Sequence, residues 1–376
     1  MVEEVLSICS YRQIRELCFL LSGPSRNAGT VITQATPKSK AALRNALRFV
    51  GRYEFTGSSP VHLDADLGLK VFEALDFGTG SDPDPAANGR EVLLSCYSEE
   101  GPYLQEIASV QGIRFDHSYI ERIGHFCTHD FEAYFSADAP AQFCISVEKM
   151  GLSLSRVVAS SGDYRTDPRR FHKYLTRVSM VLRLVGKALR HIHSRGLVHG
   201  NLTLQNCGKY GDKWKLAGIM NSRQVGSELP THLMGESVPP EATVFPSGRK
   251  DAASARLRDT VAASPALDVW GFGKLLYETL VGDPLIPFDY KAEVFYRDQN
   301  ALVALAAWDD STLRDVVAEV IESGAGTLAA DLISHCLCPS PEDRPQNFDI
   351  VLDHPFWKDQ INRKKNADAW EKKQKK

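Results

Sequence analysis

The sequence predicts an α+β chain in which a β-rich stretch of about 100 residues leads into a larger helical region. Three observations carry that expectation. Between Tyr53 and Glu148 the apolar residues come in short runs bounded by turn formers. Beyond residue 150 they recur at helical spacing. With 376 residues, 43% of them hydrophobic, the chain can bury the core of one large two-lobed domain or of two ordinary ones.

In chain order, Val5, Leu6, Cys9, Ile14, Leu17, Phe19 and Leu20 predict an amphipathic helix over residues 2–21, ended by Gly23-Pro24. A Ser/Thr/Gly/Asn-rich linker follows. A second helix is expected from Pro37 to about Val50, with Leu43, Ala46, Leu47 and Val50 on one face. Strands are expected at Tyr53–Phe55, Leu69–Leu75 and Glu91–Cys96, the last two joined by the turn-rich loop FGTGSDPDPAANG. A helix near Tyr103–Val110 and strands near Tyr119–Phe126 and Gln142–Glu148 complete the lobe. The run LTRVSMVLRLVGKALRHIHSRG then reads as a long amphipathic helix closed by Gly196. The expected organisation is a helical extension (1–50), a β-rich lobe (51–150), a helical lobe (151–360) and a basic tail (361–376).

Composition narrows the function classes. Lys and Arg total 44 against 47 Asp and Glu, a net charge of -3, so no overall field draws the chain to nucleic acid or an acidic membrane. The eight cysteines are scattered, and Cys336 and Cys338 are one residue short of a CxxC knuckle. They read as reduced thiols. The N-terminus, with Glu3 and Glu4, has no signal-peptide pattern, and even the segment from Tyr174 to His193 is too interrupted to span a bilayer. A cytoplasmic location is the expectation, with secretion compatible if a signal has been removed. The tail KDQINRKKNADAWEKKQKK reads as a solvated stretch, with contact to an acidic partner as the alternative.

The segment LVHGNLTLQN resembles the catalytic loop of a eukaryotic protein kinase, H-R-D-L-x-x-x-N, with His199, Gly200, Asn201, Leu202 and Asn206 at its positions. Further landmarks follow in the family's order. Lys215-Leu216-Ala217 and Gly218-Ile219-Met220 resemble the strand and D-F-G metal loop, and Pro239-Pro240-Glu241 resembles A-P-E. LDVWGFGKLLYETLVGDPLI is similar to the buried helix of the large lobe, with Asp268 at its start. CLCPSPEDRPQNFDIVLDHPFW is similar to the closing helices, with Arg344 placed to meet Glu241. In the small lobe the resemblance puts Val71 after the glycine-rich loop, Leu93 and Ser95 on the lysine-bearing strand, Glu106 on the ion-pairing helix, and Val147, Glu148 and Met150 at the hinge. It is closest to protist kinases with H-G-D in place of H-R-D and a tryptophan-containing insert, here VFYRDQNALVALAAWDDSTL.

Phosphoryl transfer needs a phosphate cradle, a lysine, a metal aspartate and a catalytic aspartate. At those positions stand Asp64, Asp66 and Leu69 for the glycines, Ser95 for the lysine, Gly218 for the metal aspartate and Asn201 for the base. Two carboxylates repel phosphate, an amide is no base, and glycine offers no ligand atom. Glu106, His199 and Asn206 are retained but lack their chemical partners. Lys70 has a rival reading as a replacement lysine, although strand alternation points it away from that position. Leu93 and Gly208 alter the adenine pocket, the first filling it and the second removing its floor.

The resemblance therefore implies a pseudokinase that binds no cofactor and no metal, with Glu241, Asp268 and Arg344 as structural residues. Loss of every catalytic position is also similar to the rhoptry pseudokinases of apicomplexan parasites, whose export requires a signal sequence. The implied role is a protein-binding scaffold or allosteric regulator, its partners including an active kinase or a signalling complex. Alternatives are an atypical nucleotide-binding enzyme on the same fold and a kinase of weak residual activity. Partner contact is expected through the N-terminal helices and through the insert, where Phe295, Tyr296, Leu302, Leu305 and Trp308 suit a docking helix, with core packing the competing use for Trp308.

Overall fold

The structure is a computed structural model that describes residues 48–49, 52–57, 59–78, 89–108, 110, 117–127, 143–165, 167–246, 254–287 and 298–362. Nearly all of the expected N-terminal extension, the start of the insert with Phe295 and Tyr296, and almost all of the basic tail lie outside them. The chain is α+β with antiparallel sheets, and it divides into two compact units. One holds the chain up to Ala108 together with Arg122–Lys149; the other holds Ser109–Glu121 and everything from Met150 onward. The sequence reading put the whole of 51–150 in one lobe, whereas residues 109–121 belong with the second unit.

The first unit is a six-stranded antiparallel sheet: β1 (Tyr53–Phe55), β2 (His62–Asp64), β3 (Leu69–Asp76), β4 (Arg90–Tyr97), β5 (Ile123–Cys127) and β6 (Phe143–Glu148). The order is β1-β3-β4-β6-β5, with β2 also on β3. Period-two alternation gives the sheet two unlike faces. Phe72, Ala74, Val92, Leu94, Cys96 and Cys144 point to one, where Phe49, Tyr53 and Phe55 cover them. Phe49 is thus core of this unit, although the sequence reading assigned it to the extension. The other face carries the half-buried Val71, Leu93, Ser95 and Val147, with α1 (Glu100–Ile107) packed through Tyr103, whose ring lies 5.3 Å from Phe143. A fork from Arg52 to Asp76, Nε–Oδ1 at 2.6 Å and Nη2–Oδ2 at 2.8 Å, pins the start of β1 to the end of β3.

In the second unit, β7 (Leu152–Ser153) leads into α2 (Leu154–Ala159), α3 (Gly162–Arg165) and the long α4 (Pro168–Ser194). The α4 helix starts earlier than apolar spacing indicates, because Asp167 caps the N–H groups of Arg169 and Arg170 and Pro168 fits the first turn. Its C-terminus closes at Gly196, φ +72°, as the sequence predicts. Then come β8 (Leu197–Val198), the hairpin β9 (Cys207–Tyr210) and β10 (Lys213–Leu216), and α5 (Pro265–Val281), which is buried on all sides from Leu267 to Val281. The unit is completed by α6 (Gln299–Ala306), α7 (Asp310–Glu322), α8 (Thr327–Cys336) and α9 (Phe348–Asp353). Gly273 lets α5 lie directly on α8, since a Cβ there would come within 2.7 Å of Cys336 Cβ.

The second half of the insert is internal. Leu302 packs with Phe245 and Ala255, Leu305 is buried, and Trp308 stands edge-on to Trp270 at 5.1 Å while its Nε1 donates to the Leu337 carbonyl. These three side chains therefore do not form the docking surface expected from composition. Among the described residues no helix is long and apolar enough to cross a membrane.

Candidate functional site

The loop after β8, residues 199–206, is shaped by one carboxylate. Asp268, 1% exposed at the start of α5, accepts from the backbone N–H groups of His199 and Gly200 at 2.8 Å each. His193 Nε2 lies 2.8 Å from the same group. Burial pushes this carboxyl up, and the hydrogen bonds from His193 and the Gly200 N–H outweigh it, holding Asp268 below the usual carboxylate range. Gly200 has φ +72°, and a Cβ there would come within 2.8 Å of Leu229, so both backbone and space require glycine.

His199 is fully buried. Its Nε2 donates to the Ala217 carbonyl at 2.8 Å, and its Nδ1 accepts from the Asn201 N–H at 3.3 Å. One ring nitrogen donates and the other accepts, which only the neutral imidazole can do. Burial pushes its pKa down, in agreement. The ring ties the loop to the strand end at Ala217 and has no open nitrogen for proton transfer.

Asn206 Nδ2 donates to the Asn201 carbonyl at 2.9 Å and so staples the loop internally. The Asn201 side chain stands where the resemblance puts a catalytic base, and its Oδ1 is buried without a hydrogen-bond partner. At the position of the metal aspartate, Gly218 has φ +80° and its N–H donates to Glu121 Oε1. Glu121 is 4% exposed, and its other oxygen accepts from Tyr210 O–H at 3.4 Å. The sequence reading missed this residue. Its segment is held by the bridge between Ile120 and Leu216, with Glu121 N–H donating to the Leu216 carbonyl at 2.9 Å. The one available signal was a glutamate between Ile120 and Ile123 in a run read as a strand. Asp268 and Glu121 are both engaged by protein donors, which leaves the neutral amide of Asn206 a poor magnesium ligand.

Gly208 does not leave a hole. A Cβ at that position would overlap Sδ, Cγ and Cε of Met150, so the methionine occupies the space that the missing side chain vacates. The expectation of a lost floor is corrected accordingly.

In the first unit, Val71, Ser95 and Ile145 lie opposite one another across β3, β4 and β6, as do Leu93 and Val147. Lys70 pairs with Cys96 and so belongs to the opposite face from Ser95. Glu106 is exposed, and no ion pair involves it among the described residues. Glu148, at the position read as hinge, is 9% exposed and lies on the opposite face from Val147, with Arg90 Nε at 3.5 Å and the Arg122 N–H donating to its Oε2. Asp64 Oδ1 accepts from the N–H groups of Asp66 and Leu67, closing the tight turn between β2 and β3. No run of free N–H groups is offered there to a phosphate.

Arg344 is 1% exposed and meets Glu241 in a fork, Nη1–Oε1 and Nη2–Oε2 both at 2.8 Å. Its remaining donors reach the carbonyls of Cys338, Ala266 and Pro339 at 2.9, 3.2 and 3.2 Å. All five guanidinium N–H groups are used. No protein-family model matches the chain, and no curated protein is significantly similar to it.

Proposed function

We propose that the chain is a pseudokinase: a two-lobed protein kinase-like fold without phosphoryl transfer that works as a protein-binding scaffold or allosteric regulator. One contrast carries the reading. The supports of the loop at 199–206 are complete, with Asp268 on two backbone N–H groups and His199 on Ala217, while the positions for chemistry hold Asn201, Gly218 and Ser95. Phosphoryl transfer is almost wholly positioning and charge stabilisation, so loss of these charges removes the reaction and leaves the shape. The Met150 side chain over Gly208 further supports a site not kept for an adenine ring. Such a protein acts through partners, of which an active kinase or signalling complex is the expected kind, in the cytoplasm.

The test is a thermal shift of the full chain with millimolar ATP and Mg²⁺ or Mn²⁺. Ligand at about 100 times its Kd adds roughly 2.7 kcal/mol, which is readily seen. The expected result is no shift. A saturable shift would overturn the reading and favour a nucleotide-binding enzyme on the same fold, and label transfer from γ-phosphate to a protein substrate would identify a residual kinase.

A further inference from the structure

Away from the loop at 199–206, three side chains of the second unit converge. Asp331 and His335 lie one turn apart on α8, four residues being the spacing that stacks two side chains on one helix face. His354, immediately after α9, comes to the same place. One ligand atom from each of Asp331, His335 and His354 lies within 4.8 Å of the other two. His354 Nε2 is 3.0 Å from Asp331 Oδ2, and the two imidazole rings are 6.0 Å apart between centroids.

We propose that Asp331, His335 and His354 form a binding site for a divalent transition-metal ion, with zinc the best match. Two imidazole nitrogens and one carboxylate oxygen suit Zn²⁺ and poorly suit Mg²⁺ or Ca²⁺, which take mainly oxygen ligands. A tetrahedral ion at about 2.0–2.1 Å from each donor places the donors about 3.4 Å apart. The observed set is thus close to closed. Asp331 and His335 are exposed and free to adjust, whereas His354 is half-buried and anchored. Three protein ligands leave the fourth position to water.

The metal-free geometry shows what binding displaces. His354 Nδ1 accepts from the Phe356 N–H at 3.2 Å, so Nε2 carries the ring proton and donates it to Asp331. For Nε2 to ligate Zn²⁺ its proton must first move to Nδ1, which frees the Nε2 lone pair and opens the bond from Phe356 N–H. The Asp331–His354 pair alone has a structural use, joining α8 to the end of α9. His335 has no part in that pair, so it separates the two roles. The site does not depend on the proposed function.

The experiment is calorimetric titration of the full chain with ZnCl₂, alongside melting with Zn²⁺ and with EDTA, for wild type and for His335→Ala and Asp331→Asn. Cobalt spectra report whether thiolates contribute. The expected result is one saturable site without thiolate charge-transfer bands, a melting temperature that rises with Zn²⁺, and reversal by EDTA. Losing His335 removes a ligand and should weaken binding by more than about tenfold, the loss that outer-shell changes alone can produce. The metal-free melting temperature of His335→Ala should stay at the wild-type value, which keeps a folding defect from passing as lost affinity. A Zn²⁺ affinity unchanged in His335→Ala, thiolate bands in the cobalt spectrum, or no saturable binding would each overturn the proposal.

Discussion

Replacing Arg344 by alanine removes a buried side chain that uses all five of its N–H groups. The guanidinium is fully shielded from solvent, whereas the Glu241 side chain is 24% exposed. Truncation therefore strands the carbonyls of Cys338, Ala266 and Pro339 more severely than it strands the glutamate, which can turn toward water. It also uncovers one face of Trp270, over which the guanidinium carbon sits at 5.0 Å. Breaking one half of such a pair costs about 3–5 kcal/mol. For a unit of this size that is a fall in melting temperature of about 10 °C. Glu241→Gln keeps the shape and part of the hydrogen bonding but leaves the fully shielded guanidinium without its counter-charge, so its cost should be comparable, about 3–5 kcal/mol. Urea and thermal unfolding of the three proteins, followed by tryptophan fluorescence, measure both differences. If Arg344→Ala or Glu241→Gln melts with the wild type, the pair does not hold the C-terminal helices to the segment around Glu241.

Two further expectations concern acid and the loop. His199, His117 and His191 all have pKa values lowered below 6.5, burial being the largest cause in each, with neighbouring cations Lys187, Arg190 and Arg195 adding to it for the last two. A lowered folded-state value means that the unfolded chain takes up protons first, so stability is full above about pH 6.5 and falls as pH drops below it. Each such group steepens the loss by up to about 1.4 kcal/mol per pH unit, and denaturant midpoints between pH 8 and pH 5 measure it; a flat profile would contradict it. Asn201→Ala removes an amide whose Oδ1 has no partner, so the melting temperature should stay within about 1 °C of wild type, consistent with a change of less than ~0.5 kcal/mol. A large drop would mean that Asn201 supports the loop in its own right.

Much of this architecture is legible in the sequence because single rules decide it. Alternation of apolar residues gives β3 and β4 nearly to their ends, and helical spacing gives the body of α4. What periodicity does not carry is the start of α4, where a cap and a proline act and the polar run RRFHKY hides the pattern. In the candidate site, the sequence singles out Asp268, His199, Glu241 and Arg344 through short local patterns, and the structure shows each of them buried or in a hydrogen-bonded pair. The packing of Met150 and the place of Glu121 are not legible in the sequence, for a common reason: each depends on a residue far away along the chain. Met150 matters because Gly208 has no side chain, and Glu121 because Gly218 presents an N–H without a competing carboxylate of its own. Substitutions that empty a position are visible in a sequence; the distant groups that move in are not.

The passage of residues 109–121 into the second unit bears on how this protein can be cut. The chain changes units three times, at 108/109, 121/122 and 149/150. A fragment beginning at Met150 omits the peptide whose Tyr119 carbonyl accepts from Leu216 N–H at 2.8 Å and whose Glu121 N–H donates to the Leu216 carbonyl. It omits the carboxylate on Gly218 as well. Expressed alone, the C-terminal region would leave the N–H and C=O of Leu216, at the end of β10, without these partners. Its boundaries in space are not boundaries along the gene, so an intact second unit requires 109–121 to be supplied, either by the whole chain or by a rewired one that carries this peptide on a new linker.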